Sequence, residues 1–235
     1  MADGVCDAEL VRLADDRAPM LAATVVGMRI FAFRVAPFDN GTYVLADDRG
    51  DALVIDPAQG EREVLEVVRA NGLRVVELLN THGHPDHVHD NATLKRATRA
   101  RLAIHRLDAY RLGPDAPPTG FPVPPCEPDD LLDEGPLGFV RDLELVALHT
   151  PGHTEGSTSF HLPREGILFT GDLLFKGTIG RVDLPGGDAR TMERSLARVA
   201  ALPPATVVYP GHGAPTSIAA ELRWLHGFRF RDAAR

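Results

Sequence analysis

The 235-residue chain reads as a layered α/β domain. Strand-like apolar runs alternate with amphipathic helical stretches along most of its length, the rhythm of helices packed on a sheet. Apolar residues make up 44%, enough for a two-layer core, and the length fits one domain of this class.

Residues 7–16 have the pattern of a short amphipathic helix within an N-terminal extension, 1–27, and the domain proper is expected over 28–235. It opens with the runs MRIFAFRV, TYVLA and DALVID, separated by Pro37, Asp39-Asn40-Gly41 and the turn at 47–50, which together predict a β-meander. Residues 61–71 place Val64, Leu65, Val67 and Val68 on one helical face, and Gly72 supplies the stop. LRVVELLN then predicts a buried strand, 90–99 a polar helix, and RLAIH another short strand. Residues 113–136 break the rhythm, carrying eight of the 19 prolines, and are expected to form a long irregular loop. Strand patterns resume at LELVALH, STSFHL and GILFTG. A helix over 188–201, the strand TVVYP and a last helix around 215–227 follow.

Composition narrows the function. Charged residues are 25% with a net charge of −8 and both signs interleaved, which argues against nucleic acid because a phosphate backbone calls for a concentrated basic footprint. No apolar run reaches the roughly 18 residues of a membrane helix, so no membrane association is expected. The first residues lack a basic-then-apolar leader pattern, which makes a cytoplasmic location the expectation. Cys6 and Cys126 lie far apart and outside any CxxC spacing, so a disulfide framework is not expected.

Ten histidines are present, and three fall in Thr81-His82-Gly83-His84-Pro85-Asp86-His87, directly after a strand pattern. Four potential ligands this close cannot share one helical face, but a tight loop at a strand end can converge them, with Gly83 permissive in φ and Pro85 fixing it. Three further strings place glycine and a ligand type at a strand end: Thr150-Pro151-Gly152-His153-Thr154, Thr170-Gly171-Asp172 and Tyr209-Pro210-Gly211-His212-Gly213. Imidazole and carboxylate donors suit zinc, iron or manganese. His89, His105, His149, His161 and His226 fall outside these strings. Of these, His149 and His161 read as ordinary strand histidines, and His89 as a candidate for the pocket edge.

That ordered set resembles the metallo-β-lactamase superfamily, from about Met28 to His226. The resemblance implies a four-layer αβ/βα sandwich of two mixed β-sheets flanked by helices, with the metal site along one edge. It implies two divalent metal ions, zinc first, with iron or manganese as alternatives. His82, His84 and His153 would hold the first, Asp86, His87 and His212 the second, and Asp172 would bridge both. Asp56, in the strand-end string Ile55-Asp56-Pro57, resembles the aspartate that buttresses the histidine loop. Two cations roughly 3.5–4 Å apart share a water and lower its pKa, so the implied reaction is attack of a bridging hydroxide on a carbonyl, with Asp86 and Asp172 as the catalytic carboxylates.

Within the superfamily, β-lactam hydrolases usually lack the bridging aspartate, so Asp172 points elsewhere. The string Leu174–Asp188, LFKGTIGRVDLPGGD, resembles the short glyoxalase II-type branch, hydroxyacylglutathione hydrolases that cleave a thioester. It makes Arg181 and Lys176 the candidate substrate contacts, Arg181 through a carboxylate of the thiol carrier or the hydroxyacyl group; alternatively Arg181 pairs with Asp183 or Asp188. Full-length glyoxalase II carries a C-terminal helical extension, whereas 23 residues follow His212 here, which leaves the proline-rich loop as the candidate substrate wall. The partner expected is a small-molecule thioester. Behind it stand hydrolysis of another ester or lactone, then a persulfide dioxygenase with one iron at positions matching His82, His153 and Asp172, and last a scaffold without activity.

Overall fold

A computed structural model describes residues 20–25, 27–114, 116–117, 122–140 and 143–230. The helix expected over 7–16 lies outside the described residues.

Period-two burial explains the architecture. In β2 (Met28–Val35), Ile30 and Ala32 point to one core while Phe31, Phe33 and Val35 point to another. In β4 (Asp51–Ile55), Leu53 and Ile55 share the first core, and Ala52 and Val54 the second. A sheet buried on both faces needs a partner on each. The first core is closed by Leu145, Ala147, Phe160 and Phe169 of a second sheet, the other by Val64, Val67 and Leu94 from helices. The second sheet's far face is covered in turn by Met192, Leu196, Val199, Ile218 and Leu225. The result is four layers, helix–sheet–sheet–helix.

The first sheet runs β1-β2-β3-β4-β5-β6-β7, with β1 (Met20–Val25), β3 (Asn40–Asp47), β5 (Arg74–Leu79), β6 (Arg101–His105) and β7 (Asp130–Leu132). It is antiparallel through β4 and parallel from β4 to β7. The second comprises β8 (Gly135–Leu137), β9 (Leu145–His149), β10 (Thr158–Leu162), β11 (Ile167–Gly171), β14 (Val207–Pro210) and β15 (Thr216–Ser217), in the order β15-β14-β11-β10-β9-β8. A separate hairpin pairs β12 (Leu174–Phe175) with β13 (Thr178–Ile179). The helices are α1 (Glu61–Ala70), a single turn α2 (Pro85–Val88), α3 (Asn91–Thr98), α4 (Ala189–Ala200) and α5 (Ile218–Leu225). The Asp188 carboxylate caps α4 by accepting from Thr191 N–H at 2.7 Å, and the Ser217 hydroxyl caps α5.

Two expectations change. The sheet begins before Met28, because β1 pairs along β2, so residues 20–25 belong to the domain rather than to an extension. The proline-rich stretch ends in two strands, β7 on the first sheet and β8 on the second, and so carries the chain between the sheets. In its described part, Val123 and Cys126 pack against the outer core of the first sheet and the Glu127 carbonyl accepts from Lys95. Those described residues pack into the core between the first sheet and its helices.

Glu77 on β5 is buried, and one of its oxygens has no partner among the described residues. Burial, reinforced by the nearby Asp130 carboxylate, pushes its carboxyl up to about 8. The unfolded chain would ionise it near 4.3, so it favours the fold fully below that pH and loses the contribution as pH rises through about 8. Glu77→Gln keeps the neutral shape. Its melting temperature should exceed the parent's by several degrees at pH 8 and match it at pH 4; equal offsets at both would remove ionisation as the cause.

Candidate metal centre

The candidate donors stand at strand C-termini along one edge of the sandwich, after β5, β9, β11 and β14. Hydrogen bonds lock the two sheets together there. Thr158 N–H donates to the Thr81 carbonyl at 2.8 Å, Gly41 N–H to that of Gly211 at 2.8 Å, and the Tyr43 hydroxyl to that of Pro210 at 2.6 Å. His82 and His84 lie on the connection out of β5. Asp86 and His87 sit on α2, whose Pro85 occupies its first position, so the string is half loop and half helical turn. Gly83 does not take a positive φ. What demands glycine is close approach, since a Cβ would lie 2.5 Å from that of Arg111.

All seven donors predicted from the sequence converge. Ligand atoms of His82, His84 and His153 lie within 4.8 Å of one another, as do those of Asp86, His87 and His212. Asp172 stands between the two sets. Its Oδ1 is 3.3 Å from His87 Nε2, and its Oδ2 is 3.4 Å from His153 Nε2 and 3.5 Å from His212 Nε2. His87 and His212 bring their Nε2 atoms to 3.2 Å, and Asp86 Oδ2 lies 3.3 Å from His212 Nε2. Donor atoms about 2.0–2.2 Å from a tetrahedral cation stand roughly 3.4 Å apart, which the second set matches, while in the first His84 Nδ1 and His153 Nε2 stand closer, at 2.8 Å. Among the described residues, His82 Nε2 and Asp172 Oδ1 are buried with no hydrogen-bond partner, as atoms that can ligate a metal would be.

The outward ring nitrogens are oriented by the chain itself. His87 Nδ1 donates to Asp56 Oδ2 at 3.0 Å, His153 Nδ1 to the Arg181 carbonyl at 2.7 Å and His212 Nδ1 to that of Phe38 at 2.8 Å. The Asn40 side-chain amide donates to Asp86 Oδ2 at 3.0 Å. Asn40 had no ligand pattern to mark it; only its place in a turn string was legible.

Electrostatics divide the donors into neutral His82 and His84, ready to ligate, and a protonated His212, which must give up its proton to do so. Burial, aided by neighbouring imidazoles, holds His82 well below its ordinary pKa and His84 down to about 3, so both are neutral. Burial works against charge on Asp172, but the His87 and His212 imidazoles outweigh it and keep the carboxyl ionised. Burial also opposes charge on His212, yet hydrogen bonds to Asp172 and Asp86 lift it to about 10.

Arg181 and Lys176 follow Asp172, Lys176 exposed on the β12–β13 hairpin. The Arg181 guanidinium makes two 2.7 Å bonds to the Asp183 carboxylate, and both side chains are largely exposed. His105 and His149 stack across the sheets with ring centroids 4.1 Å apart, and His89 bonds the Asp90 carboxylate. Neither arrangement joins the donor cluster.

The model of the metallo-β-lactamase superfamily matches residues 36–212, which contain every donor. The chain belongs to that superfamily. An uncharacterized protein of Aquifex aeolicus is 38% identical over 201 residues, 83% of this chain and 94% of its own length. The hydroxyacylglutathione hydrolase of Fuscovulum blasticum is 34% identical over 174 residues, 74% of this chain but 62% of the enzyme, so this chain spans less than two-thirds of that relative. Among solved structures, the B3 metallo-β-lactamase BLEG-1 superposes with a TM-score of 0.77 at 30% identity, covering 83% of this chain and 96% of that one. The di-iron-bound form of TTHA1623 gives 0.75 at 35%, covering 82% and 97%. This metallo-β-lactamase-fold chain is therefore built like the metal-dependent hydrolases of its superfamily. No helix among the described residues is long and apolar enough to cross a membrane.

Proposed function

We propose that the protein is a dinuclear metal-dependent hydrolase of a small-molecule thioester, of the glyoxalase II type. The observation that carries the reading is Asp172, whose two oxygens face the two donor sets at 3.3 and 3.4 Å. A pair of divalent cations held by these residues, zinc first, supplies an activated water and a polarised carbonyl. The chain's own part is to fix the donors. Asp56 and the carbonyls of Arg181 and Phe38 hold three imidazoles with Nε2 turned inward, and burial keeps His82 and His84 neutral. Thioester specificity is supported by the hydroxyacylglutathione hydrolase relative and by the position of Arg181. An exposed ion pair such as Arg181–Asp183 is worth little, so the guanidinium can exchange Asp183 for a carboxylate of the thiol carrier at small cost. Lys176, on the β12–β13 hairpin that precedes Arg181, adds a second cation.

The test is metal content of protein purified without added metal, alongside turnover of 2-hydroxyacyl thioesters, esters, lactones and β-lactams. Two metal ions per chain, thioester turnover and no oxygen uptake with glutathione persulfide are expected. One iron per chain with rapid oxygen consumption would replace the hydrolase by a dioxygenase. Turnover of β-lactams alone would move the substrate to that of the BLEG-1 neighbour. Arg181→Ala is expected to raise KM about tenfold for an anionic thioester, with kcat little changed, as loss of a charged binding contact does. An unchanged KM would reduce Arg181 to the partner of Asp183.

A further inference from the structure

Asp108 has no place among the metal donors, yet it is completely buried, and both of its oxygens are committed. Oδ2 accepts from Gly83 N–H at 2.8 Å and from the Thr154 hydroxyl at 2.7 Å, and Oδ1 accepts from Gly156 N–H at 2.8 Å. Gly83 lies between His82 and His84, and Thr154 follows His153. One carboxylate thus ties together the two chain segments that supply the His82–His84–His153 set. The fit is tight: a Cβ at Gly156 would come within 2.7 Å of the Asp108 Cβ and carboxyl carbon.

A buried charge persists only with compensation. Here it comes from Arg111, one turn on in the short 3-10 turn Ala109–Leu112, with Nε 3.4 Å from Asp108 Oδ1. The same guanidinium donates to Glu155 at 2.6 Å and to the Pro185 carbonyl at 2.8 Å, reaching the loop that follows Arg181. The Asp86–His87–His212 set is held by other groups, Asp56, Asn40 and the Phe38 carbonyl.

We propose that Asp108 is a positioning residue for the first metal site alone, its carboxylate holding the Gly83 and Thr154–Gly156 segments so that His82, His84 and His153 converge. The proposal rests on the reading that each donor set holds one cation. Asp108→Asn keeps the size but turns an amide N–H₂ toward donors that need an acceptor.

Zinc competition against a chromophoric chelator, on the full chain, reads both ions separately. In Asp108→Asn one ion should bind on the order of 10- to 100-fold more weakly while the other keeps its affinity, the scale set by removing an orienting partner of a ligand. Thr154→Val, which removes a single donor to the same carboxylate, should weaken the same ion to a lesser degree and decides the matter if Asp108→Asn does not fold. Loss of both ions in equal measure, or of neither, would overturn the assignment. A parent protein that holds a single zinc ion sinks the dinuclear reading on its own terms; that ion must then still weaken in Asp108→Asn, and an unchanged affinity overturns the role of Asp108.

Discussion

Asp172→Ala is expected to yield a folded protein that holds one metal ion or none and turns over substrate at least about a thousandfold more slowly, a loss of about 4 kcal/mol of transition-state stabilisation. The Asp172 carboxylate touches both donor sets. Its neighbours are imidazoles of both donor sets, at 3.3 Å through Oδ1 and at 3.4 and 3.5 Å through Oδ2. Among the described residues, no other carboxylate pairs with His87, His153 and His212 together, so no single neighbour can take over when it is cut back to a methyl group. The fold should survive, because the turn after β11 is held by backbone bonds. Leu173 N–H donates to the Thr170 carbonyl, and Gly211 N–H to that of Gly171. Metal content by mass spectrometry and kcat/KM on the same preparation check the prediction. A variant that keeps two ions, or loses less than tenfold in rate, would refute the bridging role.

What the sequence made legible follows from how far each signal reaches along the chain. Strands β2 and β6 are found at their full bounds because turn residues close them and their apolar runs are unbroken. Helix α1 is found because its buried face recurs at helical spacing and Gly72, at φ +61°, ends it. The single turn α2 is too short for any period to register, so its residues read as loop. Strands β7 and β8, three residues each among prolines, owe their existence to neighbours in the two sheets rather than to their own propensities. The same division holds at the site. The seven donors were legible because each sits in a short string at a strand end, and chemistry restricts which residue types can fill them. Asp108 and Asn40 were not, because they act across long sequence separations, on backbone amides and a carboxylate that no spacing rule connects to them.

Asp56 should be separable into two roles, one in the fold and one in the site. Its carboxylate is buried and accepts from Thr81 N–H at 2.7 Å, the Thr81 hydroxyl at 2.6 Å and His87 Nδ1 at 3.0 Å, binding the end of β4 to the end of β5 and to α2. Asp56→Ala leaves the Thr81 N–H and His87 Nδ1 without this acceptor and leaves the Thr81 hydroxyl only His82 Nδ1 at 3.0 Å. A cost of about 3 kcal/mol follows, which for a chain of this size lowers the melting temperature by roughly 6–12 °C. Asp56→Asn behaves differently. Its amide oxygen can still serve Thr81 N–H, and the Thr81 hydroxyl can turn to accept, so melting should stay within a few degrees of the parent. The amide nitrogen, however, can only donate to His87 Nδ1, which forces the imidazole proton onto Nε2 and turns the inward lone pair into an N–H. One ion of the pair should therefore be lost from a protein that is otherwise intact. Calorimetry on both variants, with metal content measured alongside, separates the two effects. Two tightly held ions in Asp56→Asn would mean that the tautomer of His87 is not set by Asp56, and an unshifted melt in Asp56→Ala would remove its part in the fold.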